Sequence, residues 1–208
     1  MPETGDAVKR MLVAIGLLAI ATNTATAGEF LVRPGGENKV VFVSKATIEG
    51  FEGKTSRLEG SITVDPAGVG DSITVHLGVD LTSLDTGIAK RNRHMRENHL
   101  ETDKYPEAVF DGATVRGPAQ AKLEPGKPTV FDVEGTFTLH GVSRRMRINV
   151  EATYTPAGGE GGGRDRIAFR TTFPVALADY GISRPQFLFL KLAESQEVRV
   201  SGVATASP

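Results

Sequence analysis

The chain contains no cysteine and no tryptophan, and only 3 of its 208 residues are tyrosine. Without cysteine there can be no disulfide, thiol nucleophile, lipid-modified cysteine or c-type haem attachment, so a packed core has to hold the fold together. The lack of tryptophan and the few tyrosines argue against a platform for stacking sugars. The formal net charge of −1 provides no basic footprint for nucleic acid.

Long apolar runs are also scarce. Residues 11–21 (MLVAIGLLAIA) form one such run, which follows two basic residues and precedes the small-x-small site Ala25-Thr26-Ala27. The run is too short to span a bilayer, and this arrangement is typical of a secretory signal peptide. We therefore expect residues 1–27 to be the signal, residues 28–208 to be the mature chain, and the protein to be periplasmic or secreted. An uncleaved N-terminal anchor is the alternative.

The remainder is dominated by residues that alternate between apolar and polar, separated by turns rich in the 24 glycines and 11 prolines. Such alternation predicts β-strands with one apolar face. Eight strands are predicted, at residues 39–48, 56–64, 73–81, 108–115, 129–139, 145–154, 166–175 and 197–203. Long antiparallel strands of this kind either stack as a sandwich or close into a barrel.

One polar segment interrupts the strand pattern. Residues 88–100 predict a short helix, with Asp85 or Thr86 able to cap its start and Pro106 ending the segment. A helical insert in an all-β chain is typical of a cover over the open end of a barrel. Residues 31–38 are expected to be a leader loop, and residues 51–53 a break between strands.

The four histidines are the main candidates for chemistry, because neither G-x-S-x-G nor G-x-G-x-x-G occurs in the sequence. His76 lies on a polar strand face, where we expect it to be solvated or hydrogen-bonded. His140 lies in a turn, where bonding to the backbone is expected. On an α-helix, His94 and His99 would be about 140° apart, a poor chelating pair. A metal, haem or enzymatic site that uses His94, His99 and nearby carboxylates stays open as an alternative function.

The apolar positions could line a hollow interior or fill a closed core, and periodicity alone does not separate the two. A hollow interior would suit an apolar ligand, whereas a filled core would suit a structural or stress-response protein. The candidate lining positions share the inward phase of predicted strands or the apolar run near residue 188. They are Phe42, Leu77, Val79, Leu81, Phe110, Phe137, Leu139, Phe169, Phe173 and Leu188.

Five short motifs, in this order, carry a resemblance to a known family. They are residues 40–65 (VVFVSKATIEGFEGKTSRLEGSITVD), residues 81–94 (LTSLDTGIAKRNRH), Lys104-Tyr105-Pro106 with Phe110, residues 137–144 (FTLHGVSR) and Asp179-Tyr180-Gly181-Ile182. Together they extend over most of the mature chain, which resembles the YceI-like family of lipocalin-like, polyisoprenoid-binding proteins. The run after residue 93 (HMRENH) and Arg145 depart from the family's usual pattern.

This resemblance implies an all-β fold, an extended eight-stranded antiparallel lipocalin-like barrel with one short helical insert. It implies a non-enzymatic carrier or sequestering protein for a polyisoprenoid, quinone-like or other long-chain amphiphilic lipid held inside the barrel. We expect no cofactor other than bound lipid, no metal, no nucleic-acid partner and no integral membrane span; a homodimer is conceivable. The residues predicted to meet the lipid headgroup at the mouth are Arg91, Arg93, His94, Tyr180 and Arg184.

Overall fold

The computed structural model describes residues 27–45, 50–69, 73–116, 122–158, 163–183, 186–187, 190–191 and 193–208. Strands dominate this part of the chain. In chain order they are β1 (Gly28–Val32), β2 (Lys39–Ser44), β3 (Phe51–Thr55), β4 (Leu58–Val64), β5 (Ile73–Asp80), β6 (Glu107–Arg116), β7 (Pro128–Leu139), β8 (Val142–Thr155), β9 (Arg166–Ala176), β10 (Gln186–Phe187), β11 (Leu190–Lys191) and β12 (Ser195–Ala206).

The main sheet is antiparallel and closes on itself. Its strands follow the order β1-β4-β5-β6-β7-β8-β9-β12-β2-β3, and β1 also pairs with β12. In that closing ladder Phe30 lies opposite Ala206 and Val32 lies opposite Ala204. Within the described residues the result is a closed barrel of eight strand positions, as expected. Closure leaves no edge between β1 and β12 and encloses the apolar faces of all the strands.

Two of the eight positions hold interrupted strands. β1 and β2 pair in the same direction along one edge of β12, with a short crossing segment between them. β3 and β4 likewise form one interrupted strand. β3 pairs with β2, and β4 pairs with β1. Buried Asn38 supports the interruption, because its Nδ2 donates to the carbonyls of Arg33 (2.7 Å) and Leu58 (3.2 Å) and its Oδ1 accepts from the amide of Val203 (3.1 Å).

Sequence reasoning was wrong about these interruptions. The predicted leader loop at residues 31–38 includes the end of β1, whose Phe30 and Val32 are buried. The predicted break at residues 51–53 is the start of β3, which pairs with β2. Local composition there is poor in strand formers, and the pairing partner decides the conformation. The first predicted strand ends earlier than expected, at Ser44, and residues 46–49 lie outside the described part.

The predicted helical insert is present between β5 and β6, with different details. A 3₁₀ turn (Leu81–Ser83) leads to α1 (Ala89–Met95), which continues as a π-helical turn (Arg96–Leu100). The helix begins at Ala89, and the N-cap residue before it is Ile88, which makes no side-chain cap hydrogen bond, so the predicted cap by Asp85 or Thr86 is wrong. Both residues instead bond to Asn92, on the first turn of α1.

The two ends of the barrel differ. The end that carries α1, here called the helical end, also holds the β2–β3 and β7–β8 turns and the segment from β9 to β12. That segment contains a 3₁₀ turn (Leu177–Tyr180) and the small β10–β11 hairpin. The opposite end, here called the loop end, holds the β4–β5, β6–β7 and β8–β9 connections.

The outer surface of the barrel is polar and carries several ion pairs. Arg147 pairs with Glu134 across β7 and β8, and Arg170 Nη2 lies 2.8 Å from Glu151 Oε2. His76 Nδ1 lies 2.7 Å from Oδ1 of Asp111, which confirms the expectation that His76 is hydrogen-bonded on a polar face. Polar side chains outside leave the apolar alternate positions to face the interior.

Candidate functional site

The barrel is hollow. Its interior contains a cavity of about 1080 Å³, lined almost entirely by apolar side chains from the strands. Ligand pockets for small molecules usually measure about 300–1,000 Å³, so the volume of this cavity lies just above that range. The hollow interior weighs against the filled core that the sequence left open.

Most of the predicted lining positions meet in this cavity. The nine that lie in the described residues all line it: Phe42, Leu77, Val79, Leu81, Phe110, Phe137, Leu139, Phe169 and Phe173. Leu188 lies outside the described residues. Their agreement follows from the period of two, because an inward position stays inward along an unbroken strand.

The loop end of the cavity is covered by two apolar residues from connecting segments. Val69, after β4, is fully buried, and Leu123, before β7, is 4% exposed; both line the cavity. The amide of Leu123 donates to the carbonyl of Pro66 at 2.8 Å, which ties the two segments together. An enclosed chain would therefore meet an apolar floor at this end.

Polar lining side chains gather at the helical end. Apart from Thr171, whose hydroxyl donates to the carbonyl of Asn149, they come from the β2–β3 turn region, the helical insert and the start of β12. These residues are Ser44, Glu52, Lys90, Arg91, His94, His99 and Gln196. The cavity thus has an apolar end and a polar end, the division that an amphiphilic ligand requires.

Arg91 is fixed in place at this end by the protein itself. Its Nε donates to the Thr86 hydroxyl at 2.9 Å and its Nη2 donates to the Thr86 carbonyl at 2.7 Å. The guanidinium carbon lies 4.3 Å from the centre of the Phe51 ring, within cation–π range. Thr86 also donates to Oδ1 of Asn92, so helix, loop and β3 form one supported unit.

His94 and His99 are brought together by the π-helical turn. Their ring centroids are 5.0 Å apart in an edge-to-face arrangement, so the separation of about 140° expected on a regular α-helix was wrong. A π turn holds more residues than an α turn, which places side chains five positions apart on the same face. Even so, the described residues contain no cluster of three or more histidine, aspartate or glutamate side chains that could hold a metal.

His99 lines the cavity at its helical end. Burial, followed by the neighbouring His94 ring, lowers the pKa of His99 below its ordinary value, although the main chain of Ser183 opposes this slightly. Within the described part of the chain, neither ring nitrogen has a partner at full hydrogen-bond geometry. In its neutral form the imidazole offers one donor and one acceptor, and the main chain of Ser183 already interacts with this ring.

Ser44 and Gln196 are polar positions that sequence reasoning missed. Both are deeply buried, at 1% and 7% exposure, and both line the cavity. In the described residues, Ser44 Oγ and Gln196 Oε1 have no hydrogen-bond partner. The sequence did hold a signal, because Ser44 follows Phe42 and Gln196 precedes Val198 in the inward phase of their strands.

Two other predicted mouth residues lie outside the cavity lining, and a third lies outside the described residues. Arg93 is exposed and lies outside the lining, one position from the cavity-lining His94. Tyr180 is buried, with its ring centroid 5.6 Å from that of Phe137, and it also lies outside the lining. Arg184 lies outside the described residues. In the described part of the chain, Arg91 and His94 are the predicted mouth residues that line the cavity.

With this geometry in view, comparison with known proteins gives a consistent result. The family model described as the YceI-like domain matches residues 32–206. The chain belongs to the YceI-like family. Among curated relatives, a UPF0312 protein of Vibrio parahaemolyticus is 31% identical over 84% of this chain and 89% of its own length. One of Vibrio cholerae is 28% identical over 94% of this chain and 99% of its own length.

A solved YceI-like barrel has the same fold. The polyisoprenoid-binding domain from Saccharophagus degradans, described as implicated in plant cell wall breakdown, superposes with a TM-score of 0.64. It is 21% identical in sequence, and the match covers 88% of this chain and all of that domain. In the described residues of the present chain, no helix is long and apolar enough to cross a membrane.

Proposed function

We propose that this YceI-like protein binds a long-chain amphiphilic lipid, such as a polyisoprenoid or quinone-like molecule, inside its barrel and carries or sequesters it without catalysis. The observation that carries this proposal is the closed barrel around an apolar cavity of about 1080 Å³ whose polar side chains gather at one end. The Saccharophagus domain of the same fold is described as polyisoprenoid-binding, which supports a ligand of this class.

The distribution of side chains gives the ligand a direction. An apolar tail would lie towards Val69 and Leu123, and a polar head would lie at the helical end, near Arg91 and His94. Burial of an apolar chain contributes about 0.8 kcal/mol per methylene, so enclosure of the tail supplies the main driving force. No group in this arrangement has to react for the ligand to be bound.

A periplasmic or secreted location belongs to the same proposal. It rests on the apolar run and small-x-small site of residues 1–27, which are typical of a cleaved secretory signal. A lipid that moves between membranes must cross water, and a closed apolar interior would shield its tail there. Mass spectrometry of the protein isolated from a secreting host would give the mature N-terminus, which we expect at Gly28.

The first experiment is native mass spectrometry of the mature protein purified from its own compartment, followed by extraction with organic solvent. We expect a discrete added mass that extraction releases as a long-chain lipid. A bare protein that also refuses long-chain lipids on reconstitution would contradict the proposal. Metal analysis and visible absorbance of the same sample test the alternative, a metal or haem protein that uses His94 and His99.

The role of the mouth residues has matched controls in the chain. Arg91→Ala and His94→Ala should each weaken lipid binding, because both side chains line the helical end of the cavity. Arg93→Ala and His76→Ala change the same residue types outside the lining and should leave affinity unchanged. Equal effects from lining and non-lining variants would contradict a headgroup role for Arg91 and His94.

A further inference from the structure

Among the described residues, two buried polar atoms on neighbouring strands of the barrel lack a hydrogen-bond partner. In the described residues, Ser44 Oγ and Gln196 Oε1 make no hydrogen bond, although their residues are only 1% and 7% exposed. An unpaired buried polar group costs about 1–3 kcal/mol, so each such group in a folded protein calls for an explanation. Both residues line the cavity, where a ligand could supply the missing partner.

The two side chains are neighbours on the barrel wall. In the ladder between β2 and β12, Val43 lies opposite Glu197, so Ser44 and Gln196 follow as the next facing positions. Directly opposed residues on one face of an antiparallel pair have Cβ atoms about 4.5–5.5 Å apart. Both residues therefore lie beside the same region of the cavity. Phe51 of β3, which lies opposite Ser44, is close to this region.

The chemistry of Gln196 specifies what the partner must offer. Its Nε2 donates to the carbonyl of Ala193 at 2.9 Å, and this bond fixes the orientation of the amide. Within the described residues Oε1 is then left as a buried acceptor without a partner, so it needs a donor. The Ser44 hydroxyl can donate or accept, so a single ligand hydroxyl could donate to Gln196 and accept from Ser44.

Resting on the proposed function, we propose that Ser44 and Gln196 form a subsite for the hydroxyl group of a neutral long-chain ligand, a lipid alcohol or a hydroquinone. A quinone, ether or hydrocarbon of equal length lacks the donor that Gln196 Oε1 requires. An anionic head is also disfavoured beside that carbonyl oxygen, because an ionised head brings no proton to donate.

The test compares geranylgeraniol with its methyl ether, which keeps the chain and the oxygen but removes the donor. Delipidated full-length mature protein would be titrated with each compound in competition with a fluorescent apolar probe. We expect the alcohol to bind about fivefold or more tightly than the ether, the ratio that one hydrogen bond of ordinary strength gives. Equal affinities in the wild-type protein would overturn the subsite, and this comparison requires no variant.

Variants of Ser44 and Gln196 test whether these two residues cause the preference for the alcohol over the ether. Ser44→Ala and Gln196→Met should each make the affinities for the alcohol and the ether more similar, mainly by weakening binding of the alcohol. Ser143→Ala should keep the ratio of the two affinities seen in the wild-type protein. Ser143 is an exposed hydroxyl at the same end of the barrel, outside the cavity lining. A preference that persists in both lining variants would overturn the assignment to these residues.

Failure of the proposed function has a different signature. If wild-type protein bound neither compound, and also failed to bind the parent hydrocarbon, the barrel would not be a carrier of long apolar chains and the subsite would fall with it. If all three bound with the same affinity, the carrier function would stand and the subsite alone would be contradicted.

Discussion

His140 and Glu101 are joined across the helical end of the barrel, with His140 Nε2 2.9 Å from Glu101 Oε2. The other ring nitrogen of His140, Nδ1, lies 3.1 Å from the carbonyl oxygen of Tyr180. The ring also packs edge-to-face on Tyr105, at 4.6 Å between centroids. One turn histidine thus connects the end of the helical insert, the start of β6 and the segment after β9.

This arrangement gives a structural role to several motifs that carry the family resemblance. His140 belongs to the β7–β8 turn, Tyr105 precedes β6, and Tyr180 belongs to the segment after β9. Arg144 Nε adds a bond to the carbonyl of Asp179 at 2.9 Å. The motifs therefore hold the cover of the barrel in place. The expectation that His140 bonds to the backbone is confirmed, with a carboxylate partner in addition.

Replacing His140 should loosen this cover. His140→Ala removes the bonds to Glu101 and Tyr180 and the packing on Tyr105, and it leaves alanine at a backbone φ of 51°, which favours glycine or asparagine. We expect a loss of about 2 kcal/mol in the free energy of unfolding, measured by urea denaturation. His76→Ala, at an exposed hydrogen bond to Asp111, should change stability by less than about 0.5 kcal/mol. Equal stability of His140→Ala and the wild type would refute the role of this histidine.

The neighbouring glycine should be just as restrictive. Gly141 has a φ of 73°, and a Cβ atom there would lie 2.6 Å from the Tyr105 ring. Gly126 has a φ of 72° with nothing within 4 Å of the same position. Alanine at Gly126 should lower the free energy of unfolding by about 1 kcal/mol, because only the positive φ is unfavourable for it there. Alanine at Gly141 should cost about 1–3 kcal/mol more, because the aromatic ring must shift. Thermal melts of the two variants measure the difference, and similar melting temperatures would show that the ring yields freely.

Tyr154 should make stability depend on alkaline pH. Its hydroxyl donates to Asp165 Oδ2 at 2.8 Å, and burial, followed by that carboxylate, raises its pKa to about 12. A pKa that is higher in the folded protein favours the protonated phenol. The resulting stabilisation is therefore complete below pH 10, the ordinary value, and is lost as pH rises through about 12.

The measurement is a pair of unfolding titrations across this alkaline range. Wild-type protein should lose more stability than Tyr154→Phe, which has no proton to release at that position. Tyrosinate absorbance of the folded protein should show one tyrosine with a titration midpoint near 12. Parallel pH profiles for wild type and Tyr154→Phe would count against this coupling.

Substitutions at two cavity-lining alanines can test how far the bound chain extends into the cavity. Ala152 lies on β8 towards the loop end, and Ala108 lies on β6 at the helical end; both are buried and line the cavity. Ala152→Phe should shorten the space for a tail, so it should weaken binding of geranylgeraniol and spare the shorter geraniol. Ala108→Phe should weaken both alcohols, because both heads would occupy that end. Competition titrations with the two alcohols check this, and an unchanged preference in Ala152→Phe would argue against a tail at the loop end.

Strand positions could be predicted from the sequence better than features that depend on distant parts of the chain. Strand positions and inward residues such as Phe110 and Phe169 could be predicted because alternation is a local property of the chain. β1 and β3 were missed because their conformation depends on partners distant in sequence, β12 and β2. The relative placement of His94 and His99 was wrong because a π turn was not foreseen, although His94 was predicted to lie at the mouth.

The sequence by itself determined the all-β character, the helical insert and which side chains face inward, because period-two alternation and helix-forming segments act over a few residues. Only the tertiary structure decided that the sheet closes between β1 and β12 and encloses a cavity. Among the described residues, it alone also left two atoms of the cavity wall, Ser44 Oγ and Gln196 Oε1, without a hydrogen-bond partner. Closure, interior volume and hydrogen-bond pairing depend on where distant strands meet, and no short stretch of residues contains that information.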